Sequence, residues 1–129
     1  MPKILCIDPG TAHTGLAVSE EGILAEPLDT IFERDIDKLF GKLTPFIARL
    51  NPEKVVVGQP DHGPLLLYAK NLKDRIEKIY AGEVILFPED LSSKIAQSKM
   101  KQSGKNPMQI KKGEHQTAAA LILQEYLDG

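Results

Sequence analysis

Cysteine is nearly absent from this chain of 129 residues, and the one that is present, Cys6, lies in a short apolar run near the start. A single cysteine excludes an internal disulfide and a cysteine-rich metal site, and its position predicts a small buried side chain in a reducing compartment. No apolar stretch approaches the length of a membrane span, and Lys3 precedes only four apolar residues, which does not resemble a signal peptide. We therefore expect a cytoplasmic protein that does not contact a membrane.

The chain also lacks the patterns of several enzyme classes. It shows no Ser–His–Asp or Cys–His arrangement for nucleophilic catalysis, no P-loop and no dinucleotide-binding fingerprint. Its three tyrosines, Tyr68, Tyr80 and Tyr126, are too dispersed to predict a base-stacking platform. The apolar fraction of 42% and the charged fraction of 26% are ordinary for a globular protein, and the length predicts one domain over residues 1–129.

Positive charge is concentrated in one segment. The net charge of −2 argues against an indiscriminate binder of polyanions. Residues 91–113 nevertheless contain no acid and carry six lysines, namely Lys94, Lys99, Lys101, Lys105, Lys111 and Lys112. Such a block can bind phosphates on a mildly acidic protein, although a solvated lysine-rich helix and loop explains the same pattern.

The apolar periodicity predicts the element order β-β-β-α-β-α-β-α-α. Predicted strands cover residues 3–7, 14–19, 23–31, 54–58 and 83–87, and predicted helices cover 36–50, 65–80, 91–102 and 114–127. Pro45 should kink or divide the first helix, and residues 103–112 are the best candidate for a mobile loop. Antiparallel strands followed by βα units predict an α/β fold, with a mixed five-stranded sheet and helices on its faces.

Asp8 is the most informative residue because it ends the first predicted strand and opens the turn Asp8-Pro9-Gly10-Thr11. Ligand crevices in such sheets lie outside the carboxyl ends of the parallel strands. Residues 58–61 and the pair Glu89-Asp90 follow two further strands and should meet Asp8 there. Two carboxylates with a ligand from a packed helix can hold a pair of Mg²⁺ or Mn²⁺ ions. Two such ions about 4 Å apart can activate a water and stabilise the leaving oxygen of a phosphodiester. The alternative is an acid that merely caps a β-turn.

Four segments in this order also resemble the motifs of one family. They are residues 4–11 with 15–19, residues 55–60, residues 88–93 and residues 118–127. The family is YqgF, RNase H-like proteins described as pre-16S rRNA nucleases and as Holliday junction resolvases. The resemblance covers nearly the whole chain, and it implies an RNase H-like fold and a metal-dependent endonuclease.

The resemblance implies catalytic, metal-binding roles for Asp8, Glu89 and His115, with Glu114 as a further metal ligand. The family usually has an aspartate where this chain has His115, and imidazole can also ligate a divalent metal. The alternative is that the site has lost its third ligand. A second departure is Asp90, which stands where the family usually has a basic residue, so it could weaken substrate binding or add a ligand.

The implied substrate is structured nucleic acid, with 5′ maturation of pre-16S rRNA favoured and Holliday junction DNA as the rival. Thr11 and the six lysines are the predicted substrate contacts, while His13, Asp61 and His62 are weaker candidates. A resolvase would need a dimer, and the sequence leaves monomer and homodimer open. Two other classes are a non-catalytic nucleic-acid-binding protein and an actin-like kinase or ATPase, for whose second lobe the chain is too short.

Overall fold

The computed structural model describes residues 3–60, 63–88 and 107–129, and it describes side chains for all of these except 107–114. Five strands and three helices are present in this part of the chain. The strands are β1 (Ile4–Asp8), β2 (His13–Ser19), β3 (Glu26–Phe32), β4 (Lys54–Gln59) and β5 (Glu83–Pro88), and the helices are α1 (Ile36–Leu50), α2 (Pro64–Ile79) and α3 (Pro107–Asp128). Within the described ranges, no helix has both the length and the apolar character needed to cross a membrane.

The strands form one mixed sheet in the order β3-β2-β1-β4-β5. β2 is antiparallel to both β1 and β3, whereas β4 is parallel to both β1 and β5. Four strands therefore run in the same direction, namely β1, β3, β4 and β5. Their carboxyl ends lie along one end of the sheet, which we call the carboxyl edge. This architecture confirms the predicted α/β fold with its mixed five-stranded sheet.

Alternation along the strands gives the sheet two apolar faces. On one face, Leu5, Ile7, Val55 and Val57 join a core with the buried residues of α1 and α2, and we call this the two-helix face. The other, the one-helix face, is covered by α3. There Ile4, Cys6, Ala17 and Val56 pack with Ala119, Ala120, Ile122 and Leu123. The single cysteine is fully buried, as predicted.

The start of β3 differs from the prediction, because residues 23–25 do not extend the strand. A side chain of α3 takes their backbone hydrogen bonds: the Gln124 amide nitrogen donates to the Ile23 carbonyl at 3.0 Å, and the Ala25 N–H donates to Gln124 Oε1 at 2.9 Å. In this segment Ile23 and Leu24 are 72% and 65% exposed. The amphipathic pattern alone does not show such long-range competition for backbone groups.

Two predictions about helices were wrong in part, while a kink at Pro45 stays a prediction. α1 is one continuous helix from Ile36 to Leu50, so Pro45 does not divide it. α3 begins at Pro107, so residues 107–112 are helical where a mobile loop was predicted; proline is well tolerated at the first helical position. The predicted helix at 91–102 and residues 103–106 of the predicted loop lie outside the described residues.

Candidate active site

Asp8 is the last residue of β1 and lies at the carboxyl edge, as the sequence predicts. Since Ile4 and Cys6 pack on the one-helix face, alternation places the Asp8 side chain on that face as well. The residue is only 6% exposed, and its backbone is in register with Gly15 of β2. A central strand thus holds this carboxylate at a defined position, which is the geometry a metal ligand or catalytic acid requires.

The turn after Asp8 is closed tightly by glycine. A side-chain carbon at Gly10 would collide with the backbone carbonyl of His13. The N–H of Glu33, just after β3, donates to the Ala12 carbonyl at 3.0 Å and ties this turn to β3. Backbone contacts therefore define the path from Asp8 to His13.

Helix α3 approaches the sheet very closely at Gly15. A side-chain carbon at Gly15 would collide with the backbone carbonyl of His115, so only glycine permits this approach. Ala118 and Ala119, one turn further along α3, are also small and are 2% and 0% exposed. Because Gly15 is the register partner of Asp8, the close approach brings His115 to the end of the sheet where Asp8 lies.

Three rings meet beside this point. The imidazoles of His13 and His115 are stacked, with ring centroids 4.8 Å apart and planes 2° from parallel. The Phe32 ring stands edge-on to His13, with centroids 4.8 Å apart and planes 78° apart. His13 and Phe32 are cross-strand partners on β2 and β3. The structure thus gives His13 a larger role than the sequence suggested, and it adds Phe32, which sequence reasoning missed.

A polar contact anchors α3 to the same region. The Thr30 hydroxyl on β3 donates to Gln116 Oε1 at 3.3 Å. Thr30 is the register partner of Gly15, and Gln116 directly follows His115 in the helix. The contact therefore orients the segment of α3 that carries His115.

The donor chemistry of this region suits a hard divalent cation, but the described side chains do not complete a site. Asp8 offers carboxylate oxygens and His115 an imidazole, both of which Mn²⁺ accepts. Among the described residues, no group of three His, Cys, Asp or Glu side chains lies close enough together to hold a metal ion. Glu89 and Asp90 directly follow β5 but lie outside the described residues, and the Glu114 side chain is also undescribed.

The remaining predicted contacts are only partly described. Thr11 lies exposed in the turn after Asp8. Lys111 and Lys112 are in the helical segment of α3 that precedes His115, with undescribed side chains. Four lysines of the block (Lys94, Lys99, Lys101 and Lys105) and the pair Asp61 and His62 lie outside the described residues.

The fold and the sequence agree with one group of known proteins. The model of the RuvX family, described as Holliday junction resolvase, matches residues 2–129. The chain belongs to the RuvX family, also called YqgF. This membership places it among nucleases, which hydrolyse phosphodiester bonds.

One curated relative and two solved structures illustrate the relationship. A protein of Chloroflexus aggregans named "Putative pre-16S rRNA nuclease" is 32% identical over 131 residues, covering 97% of this chain and 92% of that protein. RuvC of Thermus thermophilus in complex with a Holliday junction substrate superposes with a TM-score of 0.64 at 16% identity, over 98% of this chain and 94% of that one. The Fowlpox virus resolvase bound to Holliday junction DNA gives 0.63 at 11% identity, over 98% and 97%. These two likenesses confirm the RNase H-like fold.

Proposed function

We propose that this RuvX protein is a divalent-metal-dependent endonuclease that acts on structured nucleic acid, with 5′ maturation of pre-16S rRNA as its favoured role in the cytoplasm. The observation that carries the proposal is the position of Asp8. Its carboxylate is almost fully buried at the carboxyl edge, and α3 brings His115 to the same end of the sheet.

In this proposal Asp8 and Glu89 hold Mg²⁺ or Mn²⁺, and His115 or Glu114 completes the site. A pair of such ions, when bound, supplies an activated water and stabilises the leaving oxygen of the phosphodiester. Burial on a central strand gives the Asp8 carboxylate one orientation. Stacking on His13 sets the plane of the His115 ring, and an imidazole binds a metal through nitrogens that lie in its plane, so stacking and ligation are compatible.

One observation supports a substrate of ribosomal origin, and a second supports a nucleic acid in general. The relative from Chloroflexus aggregans, similar over nearly its whole length, carries the name of a pre-16S rRNA nuclease. The six lysines between residues 94 and 112 provide positive charge on an otherwise acidic chain. We infer that these lysines and Thr11 hold the phosphates of the substrate strand.

The second candidate is resolution of Holliday junctions by the same residues. The family description favours it, since the matching model is described as a Holliday junction resolvase. This activity requires two active sites at a suitable spacing and hence a homodimer, whereas RNA trimming can be performed by a monomer.

Cleavage of two labelled substrates tests the proposal. A 16S 5′-leader RNA and a four-way DNA junction are incubated with wild type and with Asp8→Asn, in Mn²⁺ and in Mg²⁺. We expect metal-dependent cutting by the wild type and none by Asp8→Asn, and the preferred substrate chooses between the two roles. Binding of either substrate without cleavage would contradict the proposal and favour a non-catalytic binding protein.

A further inference from the structure

The exposed ring of Phe32 lies at the carboxyl edge without a role in the proposed chemistry. Phe32 ends β3 and is 51% exposed, although it is one of only four phenylalanines in the chain. Alternation along β3 places Phe32 on the one-helix face with Thr30, whose hydroxyl reaches α3. It therefore occupies the same face and the same edge as Asp8.

The surroundings hold this ring in place. His13 meets it edge-on at 4.8 Å, and His13 is itself stacked on His115. Lys42 of α1 donates to the Phe32 carbonyl at 3.4 Å, and the following residue, Glu33, is hydrogen-bonded through its N–H to Ala12. A ring positioned in this way loses little conformational freedom when a planar ligand stacks on it.

Arg34 lines the same shallow cavity as Phe32 and can contact an anionic group of a ligand, while the neighbouring Asp35 side chain caps α1 by accepting from the N–H groups of Asp37 and Lys38. Arg34 is exposed and forms no ion pair within the described part of the chain. Glu33 lies between them, but its carboxylate is paired with Lys42 at 2.9 Å. The hydrogen bond from Lys42, with help from the Asp35 N–H, lowers the pKa of Glu33, so that this charge stays paired with lysine.

An aromatic face beside a guanidinium is the combination that binds a nucleobase and its phosphate. We propose that Phe32 stacks on an unpaired base flanking the cleaved bond, and that Arg34 contacts the adjoining phosphate. β3 is two strands from β1, which puts Phe32 about 10 Å from the Asp8 strand. This distance suits a nucleotide near the scissile phosphate rather than the scissile nucleotide itself.

The inference rests on the proposed nuclease function and narrows its substrate class. A base inside a continuous duplex is stacked on its neighbours and has no open face for Phe32. The preferred substrate therefore presents an unpaired nucleotide next to the cleavage position, as a single-stranded leader or an opened junction does.

Binding of 2-aminopurine-labelled substrate tests the stack directly. The experiment uses the Asp8→Asn protein so that the substrate is not cleaved during binding. The fluorophore replaces successive bases on either side of the cleavage position, in the 16S 5′-leader RNA and in the four-way junction. We expect quenching on binding at one unpaired flanking position. Adding Phe32→Ala should abolish that quenching and weaken binding about tenfold, whereas Phe32→Trp should keep both. Phe32→Leu should lose the quenching although it keeps an apolar side chain.

Matched controls lie at the opposite edge of the sheet. Ile79→Ala removes a side chain of similar exposure, 49%, from the end of α2, and it should leave binding unchanged. Arg34→Gln should weaken binding and reduce its dependence on salt, while Arg49→Gln, in the last turn of α1, should do neither. When the flanking nucleotide is base-paired, the Phe32→Ala protein and its Asp8→Asn parent should bind the substrate with equal affinity.

The outcomes separate this inference from the function on which it rests. If the parent protein binds and the wild type cleaves, but Phe32→Ala binds as well as its parent with unchanged quenching, the stacking site is refuted and the nuclease stands. If neither substrate is bound or cleaved by the wild type, the nuclease proposal itself has failed.

Discussion

The two-helix face and the part of the one-helix face nearest Asp8 are packed with side chains of different size, and the difference bears on stability and on the proposed function. The two-helix face buries large side chains such as Leu39, Leu43 and Leu72, which make most of the core. Near Asp8 the one-helix face meets α3 through small ones, with Gly15 on the strand and Ala118 and Ala119 on the helix, whereas the rest of this face also buries Ile4, Val56, Ile122 and Leu123. Small residues bury less area but allow close approach, and it is this approach that brings His115 to the Asp8 end of the sheet.

The largest expected loss of stability lies on the two-helix face. Leu43→Ala removes a fully buried side chain and should lower the free energy of unfolding by about 3 kcal/mol. Urea unfolding followed by circular dichroism measures the change. At urea concentrations well below the unfolding midpoint, the cleavage rate per folded molecule should equal that of the wild type. A specific loss of cleavage in the folded variant would show that this face also shapes the site.

A matched pair of overpacking substitutions sharpens the contrast between the faces. Ala119→Leu on α3 and Ala69→Leu on α2 each enlarge a fully buried alanine, and each should cost about 2 kcal/mol. Only Ala119→Leu should also lower the cleavage rate, because it pushes α3 and His115 away from the sheet. Equal cleavage by the two variants, compared at the same folded fraction, would show that the approach of α3 is not what positions the site.

Gly15→Ala tests the close contact between α3 and the sheet at Gly15. The added methyl group collides with the His115 carbonyl, so the helix must shift, at a cost of about 2 kcal/mol. We expect a lower unfolding midpoint together with slower cleavage. Gly41→Ala is the control, since a side-chain carbon there meets nothing within 4 Å on the exposed side of α1. A Gly15→Ala protein as active as the control would contradict the account.

The smallest effect should be a gain in stability. Thr14 is fully buried on the two-helix face, and its hydroxyl has no hydrogen-bond partner among the described residues. Thr14→Val keeps the shape and removes an uncompensated polar group, so it should raise the free energy of unfolding by about 1 kcal/mol. Unchanged cleavage would agree with a packing role for Thr14. A loss of stability would reveal a partner for the hydroxyl.

Much of this architecture could be predicted from the sequence because the relevant patterns are local. The β-branched run at Val55–Val57 and the apolar spacing of α1 each identify their elements without tertiary information. Asp8 could be placed at a strand end because a glycine turn follows it. The family resemblance then supplied the RNase H-like fold, and the comparisons confirmed it.

The parts that were missed depend on contacts between distant segments. The backbone of residues 23–25 is hydrogen-bonded to Gln124, which lies 101 residues after Ile23 in the chain. Phe32 was overlooked because the predicted third strand ended at Ile31, and the register that pairs Phe32 with His13 depends on an irregularity between Leu16 and Ala17. The stacking of His13 on His115 needs the close approach at Gly15, and a glycine in a strand does not reveal what packs against it.

The affinity for Mn²⁺, measured by electron paramagnetic resonance on purified protein, tests the central claim most directly. The claim is that the Asp8 end of the one-helix face holds the metal. We predict saturable binding by the wild type, loss of binding in Asp8→Asn and weaker binding in His115→Ala. Asp74→Asn, which removes an exposed acid from α2, should bind as the wild type does. Equal affinities in all four proteins would contradict the account.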